Sequence, residues 1–124
     1  MAKIKANEAL VKALQAWDID HLYGIPGDSI DAVVDSLRTV RDQFKFYHVR
    51  HEEVASLAAG SYTKMTGKIG VALSIGGPGL VHLLNGMYDA KMDRVPQLII
   101  TGQTNSTLLG TKFFQETNIS KMVD

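Results

Sequence analysis

The sequence predicts an α/β fold, a doubly wound parallel sheet with helices on both faces. Helical and strand-like patterns alternate along most of the chain. Two of the strand segments, IGVALSI (69–75) and PQLIITG (96–102), are also nearly continuous apolar runs. Such runs are typical of strands buried on both faces of a parallel sheet, and the intervening helices supply the crossovers that parallel strands need.

The first half of the chain shows two helical and two strand patterns. Asn7 is a plausible N-cap for the first helix, and Asp28 or Ser29 for the second. The patterns are a helix over 6–17, a strand in 21–27 ending in a glycine-proline turn, a helix from 28, and an aromatic, β-branched strand over 44–49.

The second half continues the alternation. Gly67 is a natural stop for the third helix, and Pro78 is acceptable in the first turn of the fourth. The segments are a helix over 53–65, a strand over 69–75, a helix over 79–91, a buried strand over 96–102, and a polar tail with at most a short helix. A doubly wound domain usually closes with a further helix and strand, so we interpret residues 1–124 as one domain that is truncated.

Composition excludes several classes of function. The chain has 124 residues, enough for one core, with 13 basic and 13 acidic residues, so a general nucleic-acid-binding surface is not expected. It has no cysteine, which removes disulfides, thiolate metal sites and cysteine nucleophiles and fits a reducing cytoplasm. No apolar run is long enough to span a bilayer.

Two glycine-rich turns, GIPG (24–27) and GGPG (76–79), each follow a strand and open a helix. Such turns can present backbone N–H groups to an anion, but the G-x-G-x-x-G nucleotide pattern fails from Gly77 because residue 82 is histidine. Spacing alone leaves both a structural turn and a ligand contact open.

The histidines do not form a recognisable metal motif. His48 and His51 are three residues apart without H-E-x-x-H, which favours a structural or surface role, and we assign no metal ligand. His21 and His82 are isolated in the sequence. Ser74 ends a strand, but its surroundings do not match G-x-S-x-G, so a hydrolase triad has little support.

Glu52 and Glu53 lie where a strand passes into a helix. Acidic residues are favoured in the first helical turn, which accounts for Glu53. Glu52 has two interpretations, a helix-start charge or an acid in a cleft that performs proton chemistry.

Several spaced segments resemble a known family: YGIPG, RHEEVASLAA, TGKIGVALSIGGPG, NGMYDAKMDRVP and FQE. In this order they are similar to the N-terminal pyrimidine-binding domain of thiamine-diphosphate-dependent 2-oxo-acid enzymes, over residues 6–118. Within that family the likeness is to pyruvate oxidase, including pyruvate:quinone oxidoreductases, and next to acetolactate synthase.

The resemblance implies a role for each matching residue. Glu52 takes the position of the glutamate that hydrogen-bonds N1′ of the cofactor's aminopyrimidine and promotes the tautomer that removes the thiazolium C2 proton. The resemblance also implies residues that contact the cofactor, namely Gly24, Ile25, Pro26, Gly27, Pro78, Gly79 and Asn85. It places Phe114 and Gln115 on the substrate side.

The resemblance also implies partners. They are the pyrimidine end of thiamine diphosphate, pyruvate, and further copies of the chain in a homodimer or homotetramer. In the family a GDG…N motif binds the diphosphate through Mg²⁺, and this motif is absent here. Mg²⁺ and FAD are therefore expected to bind to other domains. The expected enzyme is cytoplasmic, with peripheral contact to the inner membrane face through other regions as one alternative. The expected function is that of the first part of a pyruvate oxidase, inactive alone. The alternatives are an acetolactate-synthase-like protein, a split decarboxylase subunit and a non-catalytic binding module.

Overall fold

The computed structural model describes residues 3–124, which contain five α-helices and four β-strands. They are α1 (Ala6–Ala16), β1 (His21–Gly24), α2 (Asp31–Thr39), β2 (Lys45–His48), α3 (Glu52–Thr66), β3 (Gly70–Ser74), α4 (Pro78–Met92), β4 (Gln97–Thr101) and α5 (Ile119–Val123). The predicted alternation is confirmed, as is a tail with one short helix.

All strand pairs are parallel, and the strands lie in the order β2-β1-β3-β4. The connection from β1 leads outward to β2, whereas that from β3 leads outward to β4, so the chain diverges between the two central strands. In open α/β sheets the crevice at the carboxyl ends of strands at such a switch point is where ligands bind. The doubly wound parallel sheet is therefore confirmed.

The sheet separates two hydrophobic layers of different character. Val71 and Leu73 of β3 point to the layer under α1 and α2, whereas Ala72, between them, points to the layer under α3 and α4. The first layer also contains large side chains such as Leu14 and Phe44, both 2% exposed. Helices therefore cover both faces, as predicted.

The prediction that 96–102 forms a fully buried strand needs correction. β4 lies at the end of the sheet, and all five of its residues are half-buried. Within residues 3–124 no strand pairs with its outer side, so its apolar residues are covered less completely than those of β3, all of which are buried.

Both predicted N-caps are wrong: Lys5 precedes α1 and Ile30 precedes α2 at these positions, and Asn7 and Ser29 bond to distant segments instead. The Asn7 amide donates to Ala32 O (2.8 Å) and Ser36 Oγ (2.7 Å), tying α1 to α2. Ser29 Oγ accepts from Gly76 N at 3.0 Å, and Asp28 lies in a 3-10 turn before α2. Gly67, with φ 71°, ends α3 as predicted.

Within residues 3–124, no helix combines the length and the apolar character needed to cross a membrane.

Candidate functional site

A seam of small residues joins α3 and α4, which run in the same direction because each links two parallel strands. A methyl group on Gly86 would overlap Ser56 Oγ and the backbone nitrogen of Leu57, so the helices touch closely there. One turn further along, Gly60 faces Ala90. The four-residue spacing of these contacts matches one helical turn and fixes the register of the two helices.

One turn toward the helix starts, the same register brings Glu52 against His82. The carboxylate Oε2 accepts a hydrogen bond from His82 Nδ1 at 2.8 Å. The side chain of Glu52 is 12% exposed and that of His82 is 43% exposed. His82 is isolated in the sequence, but the helix pair aligns it with a residue 30 positions away.

His51 completes this group. It is the N-cap of α3, and its ring stacks on that of His82 with centroids 4.4 Å apart and an interplanar angle of 29°. Glu52 Oε1 makes no hydrogen bond to another residue within 3–124, so one oxygen of a largely buried carboxylate is available to a ligand. Glu53 is more exposed, at 40% of its side chain, as its assignment to the helix start predicts.

The GIPG turn has a packing role at the crevice. A methyl group on Gly24 would overlap the Leu73 carbonyl, so glycine is needed for β1 to approach β3. Ile25 N donates to that same carbonyl at 3.4 Å, and Gly27 lies against Ile75. Pro26 is exposed. Sequence spacing left both roles open, and the structural one is observed.

The GGPG turn meets the FQE segment. Gly77 has φ 63° and ψ −116°, which disfavours a side chain, and a methyl group there would overlap the Gln115 carbonyl. Pro78 is the first residue of α4, and Gly79 packs on Ser74. The two predicted segments are thus neighbours although they lie far apart in the sequence.

A cleft over the carboxyl ends of the strands lies beside this contact. Gln103 shapes its wall, donating through Nε2 to Thr117 O at 2.9 Å and accepting from Thr104 N at 2.8 Å. Phe114, 77% exposed, stands at the rim. The lining includes Asp28, Ser29, Gly76, Gln103, Phe114 and Gln115.

The loop that carries the FQE segment is organised by Glu116. Its carboxylate accepts hydrogen bonds from the backbone N–H groups of Gly110 and of Phe113. These bonds, the one from Gly110 first, hold the pKa of Glu116 below its ordinary value.

The predicted site residues therefore fall into two groups. Gln115 lines the cleft beside the glycine turns, whereas Glu52 and Asn85 do not line it. Asn85 is exposed on α4, three residues after His82. Sequence reasoning missed Ser29, Gln103 and His82. The small residues spaced by four, Ser56 and Gly60 with Gly86 and Ala90, were the signal that could have paired Glu52 with His82.

The family model described as "Thiamine pyrophosphate enzyme, N-terminal TPP binding domain" matches residues 4–122. The chain belongs to this family. The resemblance inferred from the motifs is thereby confirmed.

Similar proteins include one from Bacillus subtilis provisionally named thiamine pyrophosphate-containing protein YdaP, 53% identical over 100% of this chain and 22% of its own length. The pyruvate oxidase of Lactiplantibacillus plantarum is 50% identical over 93% of this chain and 19% of its own length. The acetolactate synthase of Mycobacterium leprae is 39% identical over 95% of this chain and 19% of its own length. The chain spans about one fifth of these relatives, which do not share one activity.

Proposed function

We propose that this chain is the pyrimidine-binding part of a pyruvate oxidase and that Glu52 hydrogen-bonds N1′ of thiamine diphosphate. The observation that carries the proposal is the Glu52 carboxylate itself. It lies at the crevice end of α3, its side chain is 12% exposed, and one oxygen makes no hydrogen bond to another residue of 3–124. His82 already bonds to Oε2, and the ring nitrogen N1′ would bond to the other oxygen.

The chemistry of the bound cofactor is that of an electron sink for decarboxylation of a 2-oxo acid. The residues of this chain would bind the pyrimidine ring of the cofactor and orient it. Glu52 would hold a proton at N1′, and His82 Nδ1, bonded to Oε2, would keep the carboxylate in one rotamer. The matching turn and helix residues Gly24, Ile25, Pro26, Gly27, Pro78, Gly79 and Asn85 would surround the pyrimidine, with Phe114 and Gln115 on the substrate side.

Other parts of the enzyme would hold the remaining groups. The GDG…N motif that binds Mg²⁺ and the diphosphate is not in this sequence. We therefore assign Mg²⁺, the diphosphate and FAD to regions outside it, and expect the isolated chain to turn over little pyruvate. The higher identity to a pyruvate oxidase, 50% against 39%, favours this activity over acetolactate synthesis. The lack of cysteine favours a cytoplasmic enzyme.

We also propose that copies of the chain associate through α3 and α4. Large apolar side chains on these helices are exposed instead of packed, and such surfaces mark interaction sites. They are Val54, Leu57, Met65, Val81, Tyr88 and Met92, from 37% to 86% exposed. Light scattering at high concentration tests this, and a monodisperse monomer would contradict it.

The decisive experiment compares Glu52→Gln with Glu53→Gln in a full-length enzyme that carries this chain. Loss of the carboxylate at position 52 should slow exchange of the thiazolium C2 proton by about 10²–10⁴-fold, the usual contribution of a positioned acid–base group. Glu53→Gln should exchange at the wild-type rate. NMR of quenched samples measures the rate, and equal rates for Glu52→Gln and wild type would refute the role.

A separate assay addresses the substrate. With pyruvate and an artificial electron acceptor, the enzyme should reduce the acceptor in a reaction that requires FAD. Formation of acetolactate without acceptor reduction would instead support the acetolactate synthase alternative, while leaving the role of Glu52 intact.

A further inference from the structure

Three side chains of the kinds that ligate transition metals converge at the start of the α3–α4 pair. One ligating atom from each of His51, Glu52 and His82 lies within 4.8 Å of the others. Two are imidazoles and one is a carboxylate, and they come from two different helices. No local sequence motif joins this group, because His82 follows the other two by some 30 residues.

The scaffold beneath these side chains is held in place. The contact of Gly86 with Ser56 lies one turn below both Glu52 and His82, and it sets the spacing of the helices. The backbone of His51 is placed by its N-cap position, and its Nδ1 accepts from Glu53 N at 3.4 Å. A ligand set is most effective when its supporting backbone does not have to rearrange on binding.

We propose that His51, Glu52 and His82 form a binding site for one divalent ion of the zinc type. Imidazole nitrogen and carboxylate oxygen bind zinc at about 2.0–2.2 Å, so ligand atoms in a tetrahedral site are about 3.4 Å apart. The Glu52 and His82 atoms, now 2.8 Å apart, have to separate slightly. The widest pair of ligand atoms, at most 4.8 Å apart, has to close by at most about 1.4 Å.

The exposure of the two histidines permits this movement. Their side chains are 49% and 43% exposed, so their rings can turn without disturbing the core. The fourth position faces solvent and takes water, as in open zinc sites. Mg²⁺ is disfavoured because it prefers an octahedral set of oxygen ligands.

The charges nearby favour a cation despite the positive end of α3. Glu52 supplies one negative charge directly, and Glu53 Oε2 lies 3.8 Å from His51 Nδ1. The bound ion would occupy the carboxylate of Glu52, so zinc and any ligand that hydrogen-bonds this group would compete.

Zinc titration of the 124-residue chain against a chromophoric chelator tests the proposal. The wild type should take one zinc ion per chain from the chelator. His51→Ala and His82→Ala should each weaken the affinity by at least about tenfold, since even partners outside the ligand set tune it by 10–100-fold. His48→Ala, a change of an exposed histidine outside the group, should bind as the wild type does.

Circular dichroism of each variant checks folding, and His51→Ala decides the outcome if His82→Ala proves unstable. Cobalt(II) should give the intense visible bands of a four-coordinate site in the wild type and lose them in His51→Ala. The proposal is overturned if the wild type takes no zinc, or if His51→Ala binds zinc as tightly as the wild type.

Discussion

The two helix layers of this domain pack in opposite ways. Under α1 and α2 the core consists of large aliphatic and aromatic side chains, among them Leu14, Leu37 and Phe44. Between α3 and α4 the contacts are made by small residues, Ser56 and Gly60 against Gly86 and Ala90. The first layer removes much apolar surface from water, which stabilises the fold. The second brings two backbones close together, which fixes register.

In the layer of α3 and α4, the relative position of the two helices matters more than the apolar area they bury. A shift of one residue between α3 and α4 would move His82 about 1.5 Å along the helix axis relative to Glu52. The 2.8 Å bond between them would not survive such a shift. Substitutions in the two layers should therefore have different effects, and four substitutions would test whether they do.

The largest effect is expected from Phe44→Ala in the first layer. Phe44 is 2% exposed, and removing a buried phenyl ring costs about 3–5 kcal/mol because it leaves a cavity. Urea unfolding measures the loss. The His82 ring resonances should stay unchanged below the unfolding transition, and a shift in them would show that the layers are not independent.

Gly86→Ala in the second layer should cost less stability but alter the site. Overpacking costs about 1–3 kcal/mol, partly offset by about 1 kcal/mol of better helix propensity. The helices have to separate, so the bond between Glu52 and His82 should be lost, which His82 NMR reports. Asn85→Ala, at an exposed neighbouring position, is the control: it should leave the bond intact and raise stability only by its better helix propensity, roughly 0.5 kcal/mol.

A smaller effect is expected from Lys64→Ala at the far end of the same helix pair. Lys64 Nζ pairs with Asp89 Oδ2 at 2.8 Å, linking α3 to α4 near the surface. Exposed ion pairs contribute little and are screened by salt. The melting temperature should fall slightly at low salt and match the wild type at high salt. An equally large fall at high salt would show that packing, not charge, is involved.

The smallest effect lies outside both layers, in the loop that Glu116 organises. Its pKa is lowered from 4.5 by backbone hydrogen bonds, the first from Gly110, so the folded loop binds this proton less readily than the unfolded chain does. The stabilisation is therefore present above pH 4.5 and is lost as pH falls through the lower folded value. The protection factor of the Gly110 amide, which compares its hydrogen exchange with that of an unstructured chain at the same pH, should fall there, and Glu116→Gln should abolish that dependence.

Much of the fold follows from local patterns in the sequence. The continuous apolar run over 69–75 predicted a strand buried on both faces, and β3 is buried throughout. The similar run at 96–102 was misjudged because burial of β4 depends on its place in the strand order, which no local pattern encodes. The N-caps failed for a related reason, since Asn7 and Ser29 bond to distant segments.

The sequence by itself determined the parallel α/β architecture and the family, and it singled out Glu52 as a candidate site residue, because periodicity and ordered motifs are local properties of the chain. Only the tertiary structure paired Glu52 with His82, stacked His51 beside them and set Gly77 against Gln115. These contacts join residues that are tens of positions apart, or stand on different elements. They arise from the register of two helices and the order of four strands, which packing of the whole domain decides.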